Sequence, residues 1–576
     1  MQARMPEGPR PHRNPALQAA SWNMMDSVTD SPNDMELKHI IPTHGDKKRR
    51  QLSMSTDQLS LVNTALLGMV WCFSLAMAEE NQRPGESLNR PNIIVVMADD
   101  MGFSDLGCYG GEIRTPTIDQ LAKEGLRFSQ FYNCAICGPS RASLMTGCYP
   151  WKVGQAPGQS IFRNLERNCV TVMQLLKASG YQTCAVGRLD MVTADNWHDP
   201  AQVAGAADRF LGSASNSPGN YYREVKGTDF RRYPKGTPWF KDGKKWNRPD
   251  GPYSTELISD FVAGFIEESA KSEKPFFIYV SHYAPHWPLH AEEKDIAPCR
   301  ELYQGKDRKT LMEARLQRQI AMGLMPKGTT LHDYMINAKP ARGGYLANER
   351  MAIHAAMVES IDRSLARTMT ALEKSGKRDN TLILVLSDNG ASHQMAYDKG
   401  KVPDGVRPGS MDTFLNQGPA VAALNNVPFR NYKVSNFEGG IASPLVAWWP
   451  RGLVSKGRIS RRLTHIADIM PTCLELAGVI HPSQFEGRDV MPLDGKSFVS
   501  VLRAEDEAGA SRVLAWPKAV RDNEWKLVWQ NPAKPELFNI SKDRNEMRNL
   551  VAEFPERVHK MKQLHSKLFS INRRSK

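Results

Sequence analysis

Nine cysteines in 576 residues are too few to staple the chain, which excludes a disulfide-dense scaffold. The 42 glycines follow no three-residue period, so a collagen-like helix is excluded as well. No uninterrupted apolar run reaches the roughly 20 residues that a membrane-spanning helix needs. Nor is there an Arg-rich block interleaved with aromatics, as single-stranded nucleic acid binding requires. With 41% hydrophobic residues the chain is too apolar for intrinsic disorder. A globular protein remains, with room for two or three domains. Its net charge of +13 suits anionic partners.

Residues 1–53 show no helical or strand period and many Pro, Asn and His, so they read as a disordered upstream extension. Lys47, Lys48, Arg49 and Arg50 precede an apolar stretch from Leu61 to Leu75, and Ala76-Met77-Ala78 follows. A basic flank, a short apolar segment and an A-x-A end form a secretory signal, expected over residues 54–78. Met54 is then the expected start, and the mature chain begins near Glu79. Bulky Trp71 before Cys72 argues against a lipid anchor. The expected location is secreted or periplasmic, with no stable membrane anchor.

Three short apolar runs read as buried strands: Asn92 to Ala98, Phe276 to Val280 and Thr381 to Leu386. Helical periods run over Ile118 to Glu124, Val172 to Ser179, Thr255 to Ser269 and Glu349 to Ser375. Fully apolar strands separated by helices predict an α/β fold, with a large, mainly parallel sheet covered on both faces. Each strand runs into polar residues: Asp99-Asp100, then Ser281-His282 with Pro285-His286, then Ser387-Asp388-Asn389-Gly390. In open α/β sheets ligands bind beyond the carboxyl ends of the strands. Asp99, Asp100, Asp388 and Asn389 therefore converge as an all-oxygen set suited to Ca²⁺ or Mg²⁺. Singly, each cluster also reads as turn and cap residues.

Cys137-Gly138-Pro139-Ser140-Arg141 opens a helical stretch, where a helix N-terminus favours a thiolate. A disulfide with Cys134 or zinc ligation are the structural alternatives. The run to Gly147 matches C-x-P-S-R-x-S-L-x-T-G, and here the chain resembles the sulfatases of the alkaline-phosphatase superfamily. The resemblance extends to Asp99-Asp100-Met101-Gly102, Ala284-Pro285-His286-Trp287-Pro288 and Ser387-Asp388-Asn389-Gly390. It continues through Pro428-Phe429-Arg430-Asn431-Tyr432-Lys433 with Glu438-Gly439-Gly440, and through Asp468-Ile469-Met470-Pro471-Thr472. It covers residues 90–550, and implies an alkaline-phosphatase-like fold. It also implies that a maturase oxidises Cys137 to formylglycine, the nucleophile, which is counted with Asp99, Asp100, Asp388 and Asn389 among the Ca²⁺ ligands. Arg141 would steady the modified residue, and His286 and Lys433 would hold the sulfate and assist the leaving alkoxide.

One segment departs from the family. Where G-K-W-H-L-G is usual, Gly187-Arg188-Leu189-Asp190-Met191-Val192 stands here. Arg188 keeps the charge of the sulfate-binding Lys. Asp190, in place of His, is read as a base that collapses the sulfated intermediate. The alternatives are that His198, His282 or His393 fills the gap, or that the protein is inactive.

Residues 79–495 are expected to form the catalytic domain and 496–576 a small C-terminal subdomain of antiparallel sheet plus helix. Residues 213–253 and 301–345 read as long loops, with Tyr221, Tyr222, Arg231, Arg232, Trp239 and Trp246 suiting a sulfated sugar. The expected function is a secreted sulfatase acting on a sulfated carbohydrate, with the maturase as partner during biogenesis and no nucleic acid. A phosphate or phosphonate ester hydrolase, or an inactive glycan-binding protein, are the alternatives.

Overall fold

The computed structural model describes residues 90–154, 168–188, 207–213, 219–225, 238–396, 398–505 and 511–570. In chain order the strands of interest are β1 (Asn92–Ala98), β2 (Leu126–Phe128), β3 (Phe131–Tyr132) and β4 (Gln182–Arg188). They continue with β5 (Arg209–Ser213), β6 (Trp239–Lys241), β7 (Lys244–Trp246), β8 (Phe276–Ser281), β9 (Thr381–Ser387), β10 (Leu445–Trp448) and β11 (Arg458–Ser460).

Every residue of β1 is buried, because parallel neighbours β8 and β9 flank it and helices cover both faces. Its side chains alternate with the pleat. Ile94, Val96 and Ala98 join one apolar cluster, and Ile93, Val95 and Met97 join the other. Burying each of the Ile, Val and Met side chains contributes about 1.5–3 kcal/mol. The ten-stranded sheet has the order β11-β2-β10-β9-β1-β8-β4-β5-β6-β7. It is mixed: β10 is antiparallel to both neighbours, and β5-β6-β7 ends one edge as an antiparallel run.

The C-terminal part adds a four-stranded antiparallel sheet, Val513–Trp516, Ala519–Asp522, Trp525–Val528 and Glu536–Asn539. Val558 and Met561 of the helix Pro555–Ser570 cover its Val520, Leu527 and Leu537. This sheet is tied to the segment ahead of Cys137 by Trp516 Nε1, which donates to the Asn133 carbonyl at 2.7 Å. Lys526 Nζ lies 2.8 Å from both Glu438 and Glu546, with no side-chain exposure for any of the three.

Two loop expectations are corrected. Residues 301–345 are not one long loop: they contain the helix Arg308–Ala321, capped by the Asp307 side chain, and the short helix Asp333–Ile336. Leu311, Met312, Arg315, Leu316 and Gln319 form the buried stripe, which two polar residues and a dense run of cations conceal in the sequence. Within 213–253, β6 and β7 form a hairpin on the sheet edge. Tyr221, Tyr222 and Trp239 are buried core residues rather than a sugar platform. Trp246 packs against that core, and Arg231 and Arg232 lie outside the described residues, as do the expected signal and Asp190.

Candidate functional site

Backbone amides stitch three strand ends together. Asp99 donates to the Ala284 carbonyl at 3.1 Å, His282 to Met97 at 2.9 Å, and Asp388 to Ala98 at 3.3 Å. The parallel register of β8, β1 and β9 makes this possible, since all three strands end at one edge. The turns are tight enough to require glycine at Gly390, where a Cβ would overlap the Gly439 carbonyl. Asp100 sits at φ 67°, and Asn431 and Val434, at φ 67° and 77°, flank Lys433. Such left-handed backbone at non-glycine residues costs of order 1–3 kcal/mol and clusters where side chains must be aimed.

The helix Cys137–Thr146 brings the thiol in. Ile136 precedes it in extended conformation with no side-chain cap, so Cys137 meets uncapped amides of the first turn. The residues after Cys137 each have a task. Ser140 Oγ accepts from the Cys134 amide at 2.9 Å, and Leu144 packs into the core. Gly147 ends the helix at φ 66°. No disulfide joins Cys134 to Cys137, and Cys134 Sγ lies 3.4 Å from Ser143 Oγ instead.

Arg141, fully buried, donates to Asp388 Oδ2 at 2.8 Å and lies 3.4 Å from Asp99 Oδ2. It also donates to the Tyr279 hydroxyl at 3.3 Å, to Ser281 Oγ and to the Arg188 carbonyl at 3.3 Å. Arg188, at the end of β4, places Nη2 3.0 Å from Cys137 Sγ and pairs through Nη1 with Asp99. Lys433 Nζ is 2.6 Å from Asp100 Oδ1, and His286 Nε2 is 3.6 Å from Asp100 Oδ2. His286 Nδ1 is 2.7 Å from the Trp287 carbonyl. A carbonyl only accepts, so Nδ1 carries the hydrogen and Nε2 faces the carboxylates.

Burial and neighbouring charges perturb several groups here. Burial raises the Asp99 carboxyl, but Arg188, His286 and Arg141 outweigh it and hold the group well below the usual range. Burial and the Asp99 charge push Asp388 up to about 7. Burial holds His286 down at about 4 against Asp100 and Asp99. Lys433 rises despite burial, because Asp100 lies beside it.

Asp99 Oδ1, Asp100 Oδ2 and Asn389 Oδ1 are buried without a hydrogen-bond partner. Asp99, Cys137 and Asp388 can each direct one ligand atom to within 4.8 Å of the others, as can Asp99, Asp100 and His286. Orphaned hard oxygens, and carboxylates crowded enough to raise Asp388, are what a divalent cation relieves. These residues fit such an ion.

The sequence reading missed the supports of this site. Asp105 Oδ2 accepts from the Gly102 amide at 2.8 Å and meets His354 Nε2 at 2.9 Å. Arg315 pairs with the other Asp105 oxygen at 3.2 Å. Asp105 stood next to the Asp99-Asp100-Met101-Gly102 motif, but nothing local marked its partners. Of the candidate substitute imidazoles, His282 is fully enclosed, while His393 stacks on Tyr432 at 5.1 Å and feels Asp100 and Lys433. His198 lies outside the described residues.

A Sulfatase family model matches residues 91–479, more than half of the chain. The chain belongs to the sulfatase family. It is a sulfuric ester hydrolase with the alkaline-phosphatase-like architecture described above. A second model, N-sulphoglucosamine sulphohydrolase, C-terminal, matches residues 432–574 of this sulfatase. An uncharacterized sulfatase of Schizosaccharomyces pombe is 28% identical over 536 residues, covering 82% of this chain and 92% of that one. An arylsulfatase of Klebsiella aerogenes is 27% identical over 439 residues, covering 72% and 93%. The solved structure of Ps i-CgsB with k-i-k-neocarrahexaose has a TM-score of 0.60 and 25% identity, covering 83% and 92%.

Proposed function

We propose that this sulfatase is exported and hydrolyses a sulfate ester of a carbohydrate, using Ca²⁺ and a formylglycine made from Cys137 by a maturase. The observation that carries this reading is the position of Cys137. It opens a helix 3.0 Å from a guanidinium, among carboxylates with unpartnered oxygens. A formylglycine hydrate at position 137 would supply a gem-diol, one hydroxyl as an oxygen nucleophile toward sulfur and the other as the means of releasing sulfate. Asp99, Asp100, Asp388 and Asn389 would hold Ca²⁺, which would supply Lewis acidity toward the anionic ester.

The chain's own residues do the rest. Arg188 and Lys433, both buried, bring fixed cations to where negative charge gathers on sulfate oxygens. Arg141 holds Asp99 and Asp388 in place. Lys433, whose ammonium stays charged beside Asp100, has a proton to offer the leaving alkoxide, whereas His286 Nε2 must first take one up from the incoming anion's surroundings before it can assist. Asp190 is assigned the base that releases sulfate. Export is supported by the signal pattern over residues 54–78, and a carbohydrate substrate by the sugar-bound neighbour.

The test is mass spectrometry of the Cys137 peptide after coexpression with a maturase, followed by paired sulfate and phosphate ester assays. An aldehyde in place of the thiol, with preference for the sulfate ester, is expected. Retained thiol, or preference for phosphate, would refute the reading.

A further inference from the structure

Away from the Cys137 crevice lies a cleft of about 220 Å³ at the junction with the C-terminal sheet. Its described lining carries five cations, Arg461, Arg462, Lys496, Arg512 and Arg521, against one carboxylate, Glu524. Arg512 and Arg521 form a buried floor. Arg512 forks onto Asp468 at 2.5 and 2.6 Å, and Arg521 bonds the Tyr132 hydroxyl and Gln130. Arg461 and Lys496 stand exposed at the rim.

The sheet register relates this cleft to the catalytic edge. Met97 of β1 pairs with Leu386 of β9, Leu386 with Leu445 of β10, Leu445 with Phe128 of β2, and Phe128 with Ser460 of β11. One transverse row thus joins the strand that delivers Asp99 to the strand that delivers Arg461. Because β10 is antiparallel on both sides, β1, β2 and β11 run the same way and end at the same edge. Four strand spacings separate β1 from β11, about 19 Å. Several linked saccharide units span such a distance.

We propose that this cleft is a second, non-catalytic site that binds a sulfated polysaccharide, holding one anionic group while another ester occupies the Cys137 crevice. Arg512 is engaged with Asp468, so the exposed Arg461 and Lys496, with Arg462 beside them, supply the charge that meets sulfate oxygens. None of the described lining residues is aromatic, so bases have nothing to stack on, which disfavours single-stranded nucleic acid. The identity of the ligand rests on the carbohydrate reading above.

The full chain and an Arg461→Gln/Lys496→Gln double variant are titrated with heparin, as a sulfated polymer, over a salt series. Turnover of a small aryl sulfate is measured in parallel. The variant is expected to keep the aryl sulfate rate, to bind heparin about tenfold more weakly, and to lose roughly 1.5 from the salt slope. An Arg461→Lys/Lys496→Arg variant retains the affinity, which separates charge from misfolding. Equal heparin affinity and salt slope in the parent and the Gln variant overturn the proposal. So does tighter binding of a DNA oligonucleotide than of heparin. Failure of the carbohydrate sulfatase reading shows separately, as absent aryl sulfate turnover in both proteins while heparin binding still differs.

Discussion

The Arg188 guanidinium bridges the Cys137 sulfur and the Asp99 carboxylate, one nitrogen 3.0 Å from Sγ and another paired with Asp99. The bridge is fully buried, so the charge acts in a medium where screening is weak. Arg188→Ala removes it and leaves Asp99 short of a partner. The expected loss in kcat/KM toward a sulfate ester is about 10²–10³-fold. Arg188→Lys keeps the charge without the fork and is expected to fall between. Steady-state kinetics of both variants decide this, and unchanged kcat/KM in Arg188→Ala would remove Arg188 from the chemistry.

Metal removal follows from the orphaned oxygens of Asp99, Asp100 and Asn389. Chelator-treated protein is expected to lose activity and to melt earlier, since crowded carboxylates repel without a cation among them. Restoring Ca²⁺ at about 100 times its dissociation constant adds about 2.7 kcal/mol of stability. Differential scanning calorimetry with and without Ca²⁺ checks it. A melting temperature indifferent to chelator and Ca²⁺ would contradict the ligand set.

Asp190 and His393 compete for one role. Asp190→Asn is expected to reduce turnover by about 10²-fold, as loss of a general base does. His393→Gln is expected to leave most of the rate. Its ring stacks on Tyr432 and is half-buried beside Lys433, placed for contact more than for proton transfer. Parental turnover in Asp190→Asn would reverse the assignment.

The sheet was legible because strands buried on both faces must be apolar throughout. Asn92 to Ala98 has no other stable place than between two parallel neighbours. The convergence of Asp99, His286 and Asp388 followed from that topology, since parallel strands end together. What escaped reading obeys other physics. Arg308–Ala321 hides a narrow apolar stripe among cations, and its Arg315 is buried only because Asp105 and Glu112 pair with it. Tyr221 and Trp239 looked like surface aromatics because their neighbours are polar, yet tertiary packing buries both. Tyr279 and Ser281 meet Arg141 because alternate residues of β8 point the same way, which spacing reveals only once the facing helix is known.

Lys526 tests how the two sheets are joined. Its ammonium sits between Glu438 and Glu546, all three without side-chain exposure. Lys526→Met preserves length but leaves two buried carboxylates without their shared cation. The expected destabilisation is about 3–5 kcal/mol, measured by denaturant unfolding. A loss below about 1 kcal/mol, the range of an exposed pair, would show that Arg544 and Arg521 carry the neutralisation instead.

His282 gives a pH signature. Burial alone holds its imidazole down at about 3, against an ordinary value of 6.5. Between those values the unfolded chain binds a proton that the folded chain refuses. Stability therefore rises with pH across that window. The contribution from keeping the ring neutral is complete above pH 6.5 and is lost as the pH falls toward 3. His282→Gln deletes the titration and is expected to flatten the slope of unfolding free energy against pH over that range. His286, His290 and His465, held low by the same burial, keep part of the slope in the variant. Identical slopes in parent and variant would mean that His282 takes up its proton without unfolding, and that the pocket around it opens in acid.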